Sequence, residues 1–399
     1  MKSIKDLFTA RGWRPWLPGK EGGGIALLFL LFISLPLLDR VIHFSRPLEI
    51  VEKRKLAEKP VFAACRPFSY LKQYDPYYND HFAFRTRWIH WNSLLAYKLF
   101  KASATPRVVV GRQGWLFMGN INPYFNEVDY YRNLKPFTAG ELRYWRILLE
   151  ERRNWLRRRG IHYLFVVAPC KSTIYPELMP GSIKKIHPRS RLEQLIDYLG
   201  QHSTLNVLDL RPALWQAKKT RAAYYRTDSH WNDWGGYVAY REIINRLRDH
   251  FPAARPRSLD DYRLQRAEFR NGDLALMLTL PDIFWENKWQ IQAKAPLRAR
   301  VIRGQEQKSL DRFANISVHA CSTGPLPAAL MVHDSFAFSL KQFLSEDFAK
   351  TIYVWNWGLN FFPAIIQSEG VRIVIDEMAE YSLLQRFPGN PPELHKRFQ

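Results

Sequence analysis

Five short apolar runs recur along the chain between segments of helical period: HYLFVVA at 162–168, LNVLDL at 205–210, ALMVHDS at 329–335, TIYVW at 351–355 and VRIVID at 371–376. Each is too short for a helix of ordinary length and carries apolar residues on both faces. That is the pattern of strands covered on both sides in a parallel sheet. Between them, helices are expected near 189–200, 234–249, 338–349 and 361–369. The clearest helix precedes the first run: Thr138 and Glu141 form a capping box, Leu142, Trp145, Leu149 and Leu156 recur on one face, and Gly160 ends it. A strand-turn-strand is expected in PRVVVGRQGWLFMG, with Gly111 and Gly114 at the turn. Residues 253–326 read as less regular. The alternation predicts a layered α/β fold with a central, mainly parallel sheet.

The 399 residues are 47% apolar and 24% charged, so a core of full size can form and a disordered chain is excluded. A formal net charge of +22 favours polyanionic partners, whether nucleic acid, anionic lipid or acidic polysaccharide. No zinc-finger spacing, RNA-binding signature or supported helix-turn-helix is found, which argues against nucleic acid. Cys65, Cys170 and Cys321 are too few for a disulfide framework and are expected to be structural thiols. The uncharged run from Gly22 to Leu38 just reaches spanning length and reads as a retained transmembrane signal-anchor. Basic residues flank it on both sides, so charge does not set its orientation. The expected organisation is a basic cytoplasmic tail at 1–21, the anchor at 22–38, a connector with short helices at 39–106 and one catalytic domain at 107–390.

Two segments carry candidate chemistry. In VHDSF, Ser335 directly follows an apolar strand and precedes a helix, which is a nucleophile's position but equally a helix N-cap. In YYRTDSHWNDWGG at 224–236, Asp228 and His230 are two residues apart. A carboxylate so placed can fix the imidazole tautomer and leave the other ring nitrogen as a base toward a serine hydroxyl. Asp-x-His alone is more often a solvated loop or a cap of the following helix. The combination with a strand-end serine supplies nucleophile, base and orienting group for ester chemistry. No other His, Cys or acidic cluster offers metal ligands at a recognisable spacing, so no metal is expected.

With these motifs in place, the chain resembles the alginate O-acetyltransferase proteins of the SGNH-hydrolase-like superfamily. The resemblance rests on GRQGWLF at 111–117, APCKSTIYPELMP at 168–180, TDSHWNDWGG at 227–236, GDLALML at 272–278, HDSF at 333–336 and VRIVIDEMAE at 371–380. It implies a circularly permuted, three-layer SGNH-hydrolase-like domain, because the Asp-His pair comes before the serine. It implies Ser335, His230 and Asp228 as a triad that forms an acetyl-enzyme and passes the acetyl group to hydroxyls of an extracytoplasmic polysaccharide. It further implies a single-pass inner-membrane protein with its catalytic domain in the periplasm. No cofactor is expected, the acetyl donor being delivered by a membrane acyltransferase of the MBOAT class, and other polysaccharide-assembly proteins are expected partners. His333 and Cys170 depart from the family pattern, which has a small residue and a polar residue at those places. The expected oxyanion donors are the Ser335 N–H and a side chain of Asn356 or Asn360, both asparagines being equally plausible turn residues. Lys171 and Arg226 flank the expected site and can hold a sugar carboxylate, although surface solvation is the ordinary role of either. Trp231, Trp355 and Trp357 can stack on sugar rings or fill the core. An acetyl esterase with the same triad and a non-catalytic polysaccharide-binding scaffold are the competing readings.

Overall fold

The computed structural model describes residues 20–42, 56–61, 67–82, 84–122, 125–205, 207–304, 316–356, 359–384 and 387–390. The chain divides into two compact units between Asn92 and Ser93. The first contains the helices Lys20–Ile42 and Pro67–His81 and the start of Arg85–Phe100. Phe84, Trp88 and Trp91 meet edge to face there, and Phe32 packs on Trp88 with ring centroids 4.4 Å apart.

The expected membrane-spanning segment is not supported: among the described residues no helix is long and apolar enough to cross a membrane. Residues 22–38 are helical, but within Lys20–Ile42 the apolar run opens on three glycines and contains Ser34 and Pro36. Charged residues, Glu21 and Asp39, close it at both ends, leaving it short of the roughly 20 apolar residues that a bilayer core requires.

The second unit is built on a seven-stranded mixed sheet. Its strands, in chain order, include β1 (Val108–Val110) and β2 (Leu116–Met118), which form a separate antiparallel pair as the sequence predicts. β3 (Asn120–Asn122) and β4 (Phe125–Asn126) form another small pair. The main sheet uses β5 (His162–Ala168), β6 (Val207–Asp209), β9 (Arg300–Arg303), β10 (Ile316–Ala320), β11 (Ala329–His333), β12 (Lys350–Trp355) and β13 (Ile373–Ala379), in the order β6-β5-β13-β11-β12-β10-β9. The first five are parallel, and β10 and β9 close one edge antiparallel.

Alternate residues of the central strands face two cores, so helices cover both faces and make three layers. Leu330 and Val332 of β11, Ile352 and Val354 of β12 and Val374 of β13 meet Leu156 and Ile366 on one side. Ala329, Met331, Tyr353, Ile373 and Ile375 meet Leu195, Ile243, Leu340 and Phe343 on the other. The capping box at Thr138 is present, with its helix running Ala139–Arg157, and Gly160 stops the chain at a φ of 66°.

The described residues within 253–326, which are 253–304 and 316–326, are more regular than their sequence suggests. β7 (Tyr262–Phe269) pairs antiparallel with β8 (Glu286–Ala293) in an unbroken register from Tyr262↔Ala293 to Phe269↔Glu286, and β9 and β10 complete the main sheet. Only Tyr262 and Ile291 of the β7–β8 pair are buried, so hydropathy gives little signal.

The strand order places the chemistry. From β11 the chain crosses by the helix Phe338–Leu344 to β12 on one side, then by Pro363–Ser368 to β13 on the other side of β11. The carboxyl end of β11, where Ser335 follows, is therefore a point at which the direction of winding reverses, the usual location of an α/β site. Cys170 and Lys171 after β5, Asn356 after β12 and Glu380 after β13 lie at the same rim.

Candidate active site

Ser335 opens a 3-10 turn, Ser335–Ala337, that runs into the helix Phe338–Leu344. The cap of this turn is Asp334: its Oδ1 accepts the Phe336 N–H at 3.0 Å, and its Oδ2 accepts the Ala379 N–H at 2.6 Å. The competing role for Ser335 is thus filled by its neighbour. The half-buried Ser335 hydroxyl lies 2.7 Å from His230 Nε2. His230 Nδ1 lies 2.7 Å from Asp228 Oδ1, which also accepts the His230 backbone N–H at 3.0 Å. Residues 105 positions apart are therefore joined in a serine-imidazole-carboxylate line.

The segment carrying Asp228 and His230 is fastened from several directions. Asn232 caps the helix Asp233–Leu247 through the Trp234 and Gly235 N–H groups, and Trp231, fully buried, donates from Nε1 to the Phe336 carbonyl at 3.0 Å. Burial excludes the sugar-stacking role for Trp231. On the other side, Glu286 accepts the Arg226 N–H at 2.9 Å with one oxygen, and the Thr227 N–H and hydroxyl at 2.8 Å each with the other.

Lys171 completes the fastening and corrects an expectation. It is buried, and its ammonium donates to the carbonyls of Tyr225 at 2.9 Å, Arg226 at 3.3 Å and Asp228 at 2.6 Å. All three donors are used inside the protein, so Lys171 organises the loop that carries Asp228 and His230 and is not placed to hold a substrate carboxylate. Burial lowers its pKa to about 8 despite nearby Asp228 and Asp273.

Asp273 was not among the sequence-derived site residues. Its backbone N–H donates to Asp228 Oδ2 at 2.9 Å. Its carboxylate accepts the Ser229 N–H at 2.8 Å and the Ser229 hydroxyl at 2.5 Å, and lies 3.8 Å from His230 Nδ1. Gly272 permits this approach, because a Cβ there would lie 2.5 Å from the Thr227 carbonyl oxygen. The signal was the GD pair opening GDLALML, but its pairing with Asp228 depends on a contact across 45 residues.

Burial raises the Asp273 pKa to about 6, helped by the charge of Asp228 and opposed by His230. For Asp228 burial also pushes upward, yet the His230 charge and hydrogen bond prevail and hold it well below the usual carboxylate range. For His230 burial pushes downward, but Asp228 prevails and lifts it to about 9. Both shifts favour the carboxylate–imidazolium pair, the charge state that arises during acyl transfer. Ligand atoms of Asp228, His230 and Asp273 lie within 4.8 Å of one another and could in principle gather a cation. Engagement of both His230 nitrogens by Asp228 and Ser335, and of Asp273 by Ser229, favours a proton relay instead.

The remaining candidates separate. Asn356 donates its N–H to the His333 carbonyl at 2.8 Å, and its side-chain oxygen accepts the Asn360 N–H at 3.1 Å, so this carbonyl shapes the turn. Asn360 is exposed and bridges to Gly389. These are turn functions, and Asp334 leaves the Ser335 N–H outside its cap. Arg226 donates from Nη2 to the Trp285 carbonyl at 2.6 Å and lines an open cleft. Trp355 is half-buried and stacks on Phe338 at 5.0 Å, and Trp357 lies outside the described residues. His333 is buried, its Nδ1 2.7 Å from the Asp334 carbonyl, and burial lowers its pKa to about 3. Cys170 is buried, with its thiol pKa raised well above the usual value by burial and nearby acidic groups.

Comparison with known proteins identifies the family of the chain. A protein from Pseudomonas fluorescens described as a probable alginate O-acetylase AlgJ is 28% identical over 336 residues, covering 81% of this chain and 74% of the relative. Its counterpart in Pseudomonas aeruginosa is 25% identical over 309 residues, covering 75% and 74%. Among solved structures, Bacillus cereus PatB1 matches with a TM-score of 0.50 at 14% identity, over 69% of this chain and 96% of that one, a likeness of fold. The family described as SGNH hydrolase-like domain, acetyltransferase AlgX, matches residues 108–369. That match takes in Asp228, His230 and Ser335 and well over half of the sequence, and the chain therefore belongs to the AlgX-type acetyltransferase family of SGNH hydrolase-like domains.

Proposed function

We propose that this protein is a polysaccharide O-acetyltransferase acting through an acetyl-Ser335 intermediate. The observation that carries the reading is the line of 2.7 Å contacts from Asp228 through His230 to Ser335. His230 Nε2 takes the Ser335 proton as the serine oxygen attacks the carbonyl carbon of an acetyl donor. The same nitrogen then protonates the departing group, leaving the acetyl ester on Ser335. A sugar hydroxyl next gives its proton to His230 and attacks that ester, and collapse returns the proton to Ser335. The Ser335 N–H is the proposed donor to the oxyanion in both steps.

Family membership and relatives described as alginate O-acetylases support a polysaccharide acceptor. The triad order, Asp-His before Ser, is read as a circular permutation of the SGNH arrangement. Delivery of acetyl by an MBOAT-class acyltransferase, partnership with other polysaccharide-assembly proteins and a periplasmic position are parts of the same proposal. Fusion of alkaline phosphatase to the carboxyl terminus tests the position: activity in intact cells supports it, and an inactive fusion contradicts it.

The reaction is tested by supplying a chromogenic acetyl ester together with an alginate oligosaccharide and reading the products by mass spectrometry. Acetylated oligosaccharide supports the transferase. Free acetate alone, with acceptor present, would replace it by an esterase, and the absence of both products would favour a non-catalytic scaffold.

A further inference from the structure

The peptide unit that joins Asp334 to Ser335 ends in two groups with different surroundings. Its N–H, on the half-buried Ser335, has no hydrogen-bond partner among the described residues, while the Phe336 N–H beside it is taken by Asp334 Oδ1. Its carbonyl oxygen lies 2.7 Å from Nδ1 of His333, the preceding side chain. We propose that His333 is a positioning residue for the oxyanion donor: it holds the Asp334 carbonyl and, through one rigid peptide plane, aims the Ser335 N–H at the oxyanion. The inference rests on the acetyl-Ser335 reading above and adds to it a residue that acts through another without touching substrate.

The direction of the contact follows from its atoms. A carbonyl oxygen only accepts, so the proton sits on Nδ1. Burial, helped by the charge of Lys341, lowers the His333 pKa to about 3, so the ring is neutral wherever His230 can act as a base. Its other nitrogen, Nε2, is buried with no hydrogen-bond partner among the described residues. That atom brings only a desolvation cost, which an apolar ring of similar shape would not carry. The polar contribution of His333 is therefore made at Nδ1.

The ring is also held in place. It meets Phe338, Tyr353 and Trp355 edge to face, with centroids 6.1, 5.9 and 5.8 Å away. Its backbone closes the pairing of β11 with β12 opposite Trp355, and its carbonyl accepts the Asn356 N–H at 2.8 Å. Strand and aromatic box together fix where Nδ1 points.

The effect reaches the nucleophile through covalent geometry. The peptide is trans, so its N–H and C=O point in opposite directions within a plane that resists rotation. Drawing the carbonyl toward the buried ring turns the N–H away from it. As the cap of the 3-10 turn, Asp334 also offers this oxygen to the turn, and His333 occupies the second lone pair. Two donors on the oxygen polarise the unit and strengthen the N–H at its far end. A small side chain at position 333 would leave the second lone pair unfilled.

The test compares wild type, His333→Asn and His333→Leu in the full chain. Asn keeps a donor near the place of Nδ1, and Leu fills space without one. Single-turnover acetylation by 4-nitrophenyl acetate gives the acylation rate, and thermal melts give stability. Loss of an oxyanion donor costs about 100-fold or more, and loss of its aim should cost about tenfold in His333→Leu, with KM and the pH limb of His230 unmoved. His333→Asn should recover most of that rate even where it melts lower than His333→Leu, an order that a packing role would reverse. A Leu variant within about twofold of wild type, or Asn and Leu equally slow, would overturn the proposal. If His333→Leu does not fold, NMR of the histidine-labelled wild type decides, the His333 signal being the one missing from His333→Asn: a proton on Nδ1 supports the proposal and a proton on Nε2 overturns it. Peptide mass spectrometry of the acetylated wild type separates the two readings. No label at Ser335 removes the acetyl-enzyme, whereas a labelled Ser335 with an undiminished Leu variant removes only the role of His333.

Discussion

Replacing Gly272 by alanine should disable the site through one methyl group. Gly272 has an ordinary φ of −52°, so alanine brings no backbone strain of its own. The difficulty is space: the new Cβ would lie 2.5 Å from the Thr227 carbonyl oxygen and 2.6 Å from its hydroxyl. Carbon and oxygen rest about 3.3 Å apart or more, so the two segments must separate by roughly 0.8 Å. Thr227 cannot yield by a rotamer change, because its carbonyl is backbone and its N–H and hydroxyl are both held by Glu286 at 2.8 Å. The displacement therefore falls on Asp228 on one side and Asp273 on the other, which are joined by a 2.9 Å hydrogen bond. Overpacking of this kind costs about 1–3 kcal/mol of stability. A misplacement near 1 Å at a catalytic group costs about 100-fold in rate. Steady-state hydrolysis of an aryl acetate and urea denaturation read the two effects. A kcat/KM within twofold of wild type, with an unchanged denaturation midpoint, would refute the claim that this close approach sets the carboxylate geometry.

Other consequences follow from the same contacts. His230 must be unprotonated to act as a base, so kcat/KM should rise with pH along a limb lying above the ordinary value of 6.5, toward 9. Asp273→Asn removes a charge that helps hold the proton and should move that limb to lower pH, whereas a purely structural role for Asp273 would lower the rate without moving it. By linkage, the stabilisation from the His230–Asp228 pair is fully present below pH 6.5 and is lost as pH rises through about 9, which a series of thermal melts across that window would show. Lys171→Met leaves three loop carbonyls without their ammonium and should cost about 3 kcal/mol in urea denaturation, an unchanged midpoint being the contrary result. Cys170 and Cys321 are buried free thiols and should remain unalkylated by iodoacetamide in the native protein, as peptide mass spectrometry after quenching would show.

The main sheet was legible because its central strands are apolar on both faces, and the helix at Thr138 because its cap is a local pattern of four residues. Ser335, His230 and Asp228 were legible as a set because each stands at a strand or helix boundary. What escaped depends on contacts between distant segments. β7 and β8 carry mostly polar, half-exposed side chains, so their pairing left little periodic trace. That stretch brings Asp273 and Glu286 to the triad loop. Lys171 looked like a surface cation because nothing near it in sequence reveals the carbonyls that receive it; they come from residues 54 to 57 positions away. Asp334 and Ser335 are both good caps by residue type, and only the Phe336 N–H and the Ala379 N–H decide between them.

The most direct test of the account is to incubate wild type and Ser335→Ala with an aryl acetate, quench early in acid, and map acetylation by peptide mass spectrometry. The account predicts an acetyl group on the peptide containing Ser335, released when an alginate oligosaccharide is added before the quench, and its absence from the variant. Turnover with no label at Ser335, or undiminished turnover by Ser335→Ala, would contradict the claim that this serine carries the acetyl group.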